Sequence, residues 1–199
     1  MYDWQPVNRG HALTTDVQLL YNAFVTKNIE QIIELVKSKT KILFILCGLP
    51  YSGKTYVAKK IVAATQCAFV SIDDIFHAHG YDWNTNTLPD EKGWAEIFEI
   101  SYDQTRDALR KSKTVLYDST NHTRASRDEL RAVAEKSDAE VVVLLIDVPE
   151  EVVYSRREKN VHNHTSSIVS KELVGMTVAA FERPREDERV VIFSNEARR

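Results

Sequence analysis

Residues Gly48-Leu49-Pro50-Tyr51-Ser52-Gly53-Lys54-Thr55 fit the pattern G-x-x-x-x-G-K-[ST], and each residue type in it serves one chemistry. The two glycines let the backbone curl so that successive N–H groups point at phosphate oxygens. A helix starting where the loop ends adds its N-terminal dipole, equivalent to about half a positive charge. Lys54 then reaches the β- and γ-phosphates, and Thr55 offers a hydroxyl to Mg²⁺. An apolar strand-length run precedes the loop and a helical pattern follows it, so a chance glycine-rich turn is a poor account. The ligands expected are ATP and Mg²⁺.

Carboxylates follow at spacings that suit such a cradle. The run Ala68–Ile72 ends in Asp73-Asp74. A carboxylate at the end of that strand suits a general base taking the proton of an attacking hydroxyl. Its competing role is to cap the helical turn 75–78. We read Asp73 as the base and Asp74 as a cap or supporting group. The run Thr114–Tyr117 ends in Asp118, placed to hold Mg²⁺ through its water shell. The polar turn 119–123, with Asn121 ahead of His122, and the helix bearing Arg124, Arg127 and Arg131 either line an acceptor site or form an ordinary capped helix. Asp147, just before Pro149, reads as a helix cap.

Residues 150–160 begin acidic and end basic, as a helix dipole favours, and carry Arg156 and Arg157. A polar stretch, 161–170, lacks a core pattern and is expected to be mobile; a second helix, 171–181, follows. Helix, polar loop and helix with arginines at the base would form a lid over ATP, neutralising charge on the transferring phosphoryl group. Arg183 and Arg185 are weaker candidates. The pairs His77/His79 and His162/His164 lack a nearby third ligand and read as surface histidines. Trp83 and Trp94 flank a polar segment, 84–93. They pack it down, the reading we favour, or stack on a planar acceptor.

These residues sit at the ends of a repeating pattern. Apolar runs at 42–47, 68–72, 114–117, 141–146 and 190–193 alternate with helical stretches at 55–65, 94–111, 125–136, 150–160 and 171–181. That alternation predicts a parallel α/β sheet covered on both faces, with ligands at the carboxyl ends of its strands. Ahead of it, 15–38 reads as one amphipathic helix capped by Thr14 or Thr15, with Val17, Leu20, Tyr21, Phe24, Ile32, Leu35 and Val36 at roughly helical spacing. The expected organisation is an N-terminal helical extension, 1–40, packed on a P-loop kinase domain, 41–199, whose lid spans about 156–183.

The chain has 199 residues, the size of one domain able to bury a core without staples. A net charge of −3 excludes a strongly basic protein that coats nucleic acid, though not a local basic strip. Two cysteines, Cys47 and Cys67, are too few for a disulfide framework or a cysteine-based zinc site, and Cys47 reads as core. The first residues lack a signal-peptide layout, and no apolar run approaches the roughly 20 residues of a membrane span. The expectation is a cytoplasmic protein without a membrane partner.

Together, GLPYSGKT (48–55), SIDD (71–74), VLYDSTNHT (115–123) before a helix with Arg127, DVPEEVVYSRR (147–157) and FERPREDE (181–188) resemble the P-loop kinases related to polynucleotide kinase. This group is labelled AAA_33, and its neighbours include zeta toxins, chloramphenicol phosphotransferase and the kinase of seryl-tRNA. The resemblance covers roughly residues 41–193. It implies a P-loop NTPase fold: a three-layer α/β/α sandwich, with a five-stranded parallel sheet in order 2-3-1-4-5 and a helical lid after strand 4. It also implies phosphate transfer from ATP to a hydroxyl. Lys54 and Thr55 match the family's phosphate and magnesium residues, Asp73 its general base, and Arg156 or Arg157 its lid arginine. Two positions depart. Polynucleotide kinases carry an arginine three residues after the base, where this chain has Phe76. A second lid arginine falls near Lys159 or Asn160.

The resulting expectation is an ATP- and Mg²⁺-dependent kinase acting on a hydroxyl acceptor, a small molecule being favoured over a nucleic-acid 5′-hydroxyl. Its catalytic residues would be Lys54, Asp73, Arg156 and Arg157. The rival is a nucleotide-dependent switch, in which ATP orders the lid for a protein partner. A switch has no need of a base for an alcohol, so Asp73 discriminates between the two.

Overall fold

The computed structural model describes residues 24–193. Six parallel strands form one sheet: β1 (Phe24–Lys27), β2 (Ile42–Cys47), β3 (Ala68–Ser71), β4 (Val115–Asp118), β5 (Glu140–Ile146) and β6 (Val190–Phe193), in the order β1-β6-β5-β2-β4-β3. The five expected strands stand in their expected order. The sheet is not five-stranded, however, because β1 pairs in parallel with β6, Phe24 opposite Val190 and Lys27 opposite Phe193.

That edge strand lies inside the stretch read as one helix, 15–38. The described part of it is instead strand β1 and then α1 (Ile29–Lys37), capped by Asn28 in a capping box with Gln31. Val25 and Thr26 are β-branched and suit a strand, whereas Ile32, Leu35 and Val36 do form the buried face of a helix. The signal for the break was Asn28-x-x-Gln31, which marks a helix start; apolar spacing alone ran through it. The proposed caps Thr14 and Thr15, and Val17, Leu20 and Tyr21, lie outside the described residues.

The remaining helices are α2 (Lys54–Thr65), α3 (Ile72–Ala78), α4 (Glu91–Arg110), α5 (Arg124–Glu135), α6 (Glu150–Asn163) and α7 (Lys171–Ala179), with a 3₁₀ turn at Glu186–Glu188. Strand β2 shows why there are three layers. Ile42, Phe44 and Leu46 pack with α1 and α2, while Leu43 and Ile45 pack on the opposite face with α3, α4 and α5. Every residue of β2 is buried, which is why it reads as a continuous apolar run.

β3 and β4 lie on one side of β2, and β5 and β6 on the other. The chain reverses its winding at β2, and such a switch point opens a crevice at the strands' carboxyl ends. The cradle, Asp118, Asp147 and the lid all begin there. No helix among the described residues is long and apolar enough to cross a membrane.

Candidate active site

The loop 48–53 leaves β2 and enters α2. Gly48 has φ +156°, and a Cβ there would meet the Ile146 carbonyl oxygen at 2.8 Å. Gly53, at φ +102°, is the left-handed residue that turns the chain into α2, and side chains rarely adopt that conformation. The Gly48 N–H donates to the Thr120 carbonyl at 3.1 Å, tying the loop to the turn after β4.

Inside the loop, Lys54 is 8% exposed, and its Nζ donates to the carbonyls of Gly48 (3.0 Å) and Leu49 (2.8 Å). Burial lowers its pKa, against the pull of Asp118, Cys47 and Asp73. Ser52 is 3% exposed, and its Oγ has no hydrogen-bond partner. A buried hydroxyl without a partner is costly unless a ligand supplies one, and this one faces the cradle that phosphate oxygens fit. Such a loop can hold an anion.

Thr55 and Asp118 converge beside it. Thr55, in the first turn of α2, and Asp118, at the end of β4, line the same cavity, and the nearby Thr55 side chain is one of the groups that lower the Asp118 carboxyl. Burial raises the Asp118 carboxyl, while Thr55 and Lys54 act against that rise. One carboxylate and one hydroxyl, completed by phosphate and water, are the oxygen donors Mg²⁺ takes.

Asp73 and Asp74 sit in the first turn of α3, and both line the same cavity as Lys54, Thr55 and Asp118. The cap of α3 is Ser71, whose Oγ accepts from the Asp74 N–H at 3.1 Å, so Asp74 does not cap. Asp73 is held from the far side: Trp83 Nε1 donates to its Oδ1 at 3.4 Å. Trp83 and Trp94 stack on Phe76 with ring centroids 4.8 and 5.6 Å away, so they do pack the segment between them down.

The lid arginines separate. Arg156 Nη1 donates to the carbonyls of Tyr51 (3.1 Å) and Ser52 (2.7 Å), directly on the cradle. Arg157 turns away and donates to the Val169 carbonyl at 2.9 Å. The stretch 161–170, expected to be mobile, is well bonded. Buried Asn160 is its hub: Nδ2 donates to the Ser166 and Ser167 carbonyls, and Oδ1 accepts from Thr165, the Ser166 N–H and the Ser166 hydroxyl. The Tyr51 hydroxyl accepts from the Val169 N–H at 2.9 Å and donates to the Ser167 carbonyl, clamping the lid to the cradle. Nothing in the sequence pattern marked Asn160 or Tyr51 for these tasks.

Several expected site groups prove structural. Asn121 is buried, and its Nδ2 donates to the Leu46 carbonyl at 2.7 Å, so it braces β2 and does not face an acceptor. Arg127 is enclosed with Glu188. Arg124 pairs with Asp128 and Asp187, and Arg131 with Asp128 and Glu188, so these arginines bind α5 to the segment before β6. Asp147 does not cap α6, whose cap position is Pro149 without a side-chain bond. It pairs with Arg183 at 2.6 Å instead. His77 and His79 contact backbone carbonyls through Nδ1, and no group of three or more metal-ligating side chains occurs among the described residues. Cys47 is core, its thiol pushed up to about 11 by burial.

Comparison with known proteins finds chains of similar sequence and fold. The thermosensitive gluconokinase of Escherichia coli K12 is 26% identical over 153 residues, covering 75% of this chain and 76% of its own. A chain of the Pnkp1/Rnl/Hen1 RNA repair complex superposes with a TM-score of 0.62 at 20% identity, over 71% of this chain; the match spans only 44% of that longer chain. The APS kinase of Mycobacterium tuberculosis, solved with AMPPNP and APS, gives a TM-score of 0.54 at 16% identity, over 80% and 91% of the two chains. The AAA domain family AAA_33 matches residues 43–184, from β2 through the cradle to the turn after α7, and the chain belongs to that family.

Proposed function

We propose that this chain transfers the γ-phosphoryl group of ATP, with Mg²⁺, to a hydroxyl of a small acceptor. The observation that carries the reading is the convergence of Lys54, Asp118 and Asp73 on one cavity of about 1210 Å³. Pockets for one small ligand span roughly 300–1,000 Å³, so this volume suits a nucleotide and an acceptor side by side.

Each residue has a task. The loop N–H groups, the Ser52 hydroxyl and the start of α2 bind the phosphates. Lys54 turns from its loop carbonyls to a phosphate oxygen, which favours its charged form where burial had opposed it. Thr55 and Asp118 would hold Mg²⁺, which when bound would neutralise phosphate charge. Asp73 orients the acceptor hydroxyl and accepts its proton as that oxygen bonds to the γ-phosphorus and ADP departs. Arg156, already on the cradle, offers its guanidinium to the transferring group. Positioning and charge neutralisation supply most of the rate.

The acceptor is small in this reading because Phe76, fully buried between rings, offers no charge to a nucleic-acid strand. The gluconokinase and APS kinase relatives also carry names of small acceptors. The experiment is transfer from γ-³²P-ATP with Mg²⁺ to a metabolite extract, wild type against Asp73→Asn. Expected is labelled product that Asp73→Asn reduces by about 10²–10⁴-fold while its ATP affinity stays unchanged. Tight ATP binding with no labelled product would make the chain a nucleotide-dependent switch.

A further inference from the structure

The charges of the cavity are sorted by wall. Every lysine and arginine lining it belongs to α2 or α6: Lys54, Lys59, Lys60, Arg156 and Lys159. The opposite wall, built from α3 through the start of α4, carries Asp73, Asp74 and His77 together with Trp83, Trp94 and Phe98. None of the residues by which that segment lines the cavity is a lysine or arginine; Lys92, in the first turn of α4, is not among the lining residues. The wall's rings are continuous: Trp83 and Trp94 lie 5.9 Å apart and both pack on the buried Phe76, and Phe98 follows Trp94 at a centroid distance of 6.1 Å. Phe98 stays 36% exposed although apolar. The His77 ring is engaged on both nitrogens, with the Tyr81 carbonyl and the Ser167 hydroxyl.

We infer that the acceptor is an alcohol without negative charge, neutral or cationic, that lays a flat apolar face on this aromatic wall while its hydroxyl meets Asp73. The inference rests on the kinase reading above and names its substrate class. An anionic acceptor would bring its charge beside two carboxylates with no lysine or arginine among that wall's lining residues to pair it, and juxtaposed like charges disfavour binding. A cation gains from both carboxylates and ring faces, and a neutral ring gains from stacking. This separates the chain from a gluconokinase, whose acceptor is a sugar acid.

The test measures kcat/KM for phosphate transfer to adenosine, 2-amino-1-phenylethanol, gluconate and a 5′-hydroxyl oligonucleotide, with ATP saturating. Expected is a preference on the order of 10²-fold for one or both of the first two over the last two. Trp94→Ala should raise the KM of the preferred acceptor about tenfold or more and leave the KM for ATP unchanged. Because Trp94 also packs on Phe76, the exposed Asp74→Arg serves as the second variant. It should lower transfer to the cationic alcohol and raise transfer to gluconate. Preference for gluconate or the oligonucleotide in the wild type overturns this inference and leaves the kinase reading standing. Labelling of none of the four, nor of any component of a metabolite extract, overturns both.

Discussion

Arg127 and Glu188, 61 residues apart in sequence, meet through two hydrogen bonds, Nε to Oε2 at 2.8 Å and Nη2 to Oε1 at 3.1 Å. Both side chains are fully enclosed. The third arm of Arg127, Nη1, donates to the carbonyl of Asn121 at 3.0 Å, the residue whose amide holds the end of β2. The pair thus fixes the floor of the site from beneath: it locks the turn after β4, and that turn anchors Gly48 through Thr120.

Removing one member strands the other. Glu188→Ala should cost about 3–5 kcal/mol, because Arg127 is left charged and unpaired in the core. Burial by itself raises the Glu188 carboxyl, but hydrogen bonds from Arg127, the Arg185 N–H and Arg131 outweigh it and hold it near about 2, below its ordinary 4.5. A carboxyl held low stabilises the fold fully above its unfolded value and loses that contribution as the pH falls through its folded value. Wild-type stability should therefore fall between pH 4.5 and about 2, and Glu188→Gln should flatten that decline. Urea melts at pH 7 and at pH 3 check both, and equal midpoints for wild type and Glu188→Ala at pH 7 would contradict the first.

The placement of Thr55 and Asp118 in one cavity makes a separate prediction about metal. If these two hold Mg²⁺, Asp118→Asn should lower transfer about 10–100-fold at fixed Mg²⁺. It should also move the half-saturating Mg²⁺ concentration upward. Metal-free ATP binding should change little, because the loop N–H groups and Lys54 stay in place. A Mg²⁺ titration of turnover, paired with ATP titrations in a chelator, reads the two effects apart. An unchanged Mg²⁺ midpoint would remove Asp118 from the metal site.

What the sequence made legible follows from range. The cradle is a local device, eight consecutive residues between a buried strand and a helix, so its pattern could be read directly. The order of five strands followed from a family resemblance carried by several short motifs. The edge strand β1 was missed because four residues leave little period to detect, and the apolar positions on either side of Asn28 mimic one helix. The choice left open at Asn121 and Arg127, and the cap wrongly assigned to Asp147, have another cause. Their partners, Leu46, Glu188 and Arg183, lie 75, 61 and 36 residues away. A polar residue whose partner lies far along the chain cannot be assigned to site or scaffold from its neighbours alone. Glu188 stood within the quoted FERPREDE, but nothing local distinguished it from the acidic residues beside it.

The split between the two lid arginines yields the last prediction. Arg156 touches the Tyr51 and Ser52 carbonyls of the cradle, whereas Arg157 secures Val169 within the lid loop. Arg156→Ala should therefore lower kcat about 10²–10³-fold, as loss of a donor to the transferring group does. Arg157→Ala and Asn160→Ala remove supports of the loop 164–169, so they should act through closure: the KM for ATP rises, and kcat falls by less than in Arg156→Ala. Limited proteolysis gives the structural readout. Cleavage within 161–170 should speed up in Arg157→Ala and Asn160→Ala, and ATP should slow it less than in the wild type, while Arg156→Ala is cut at the wild-type rate. If Arg157→Ala instead matches Arg156→Ala in kcat and is cut no faster than wild type, then α6 must rotate on nucleotide binding to bring Arg157 over the phosphates.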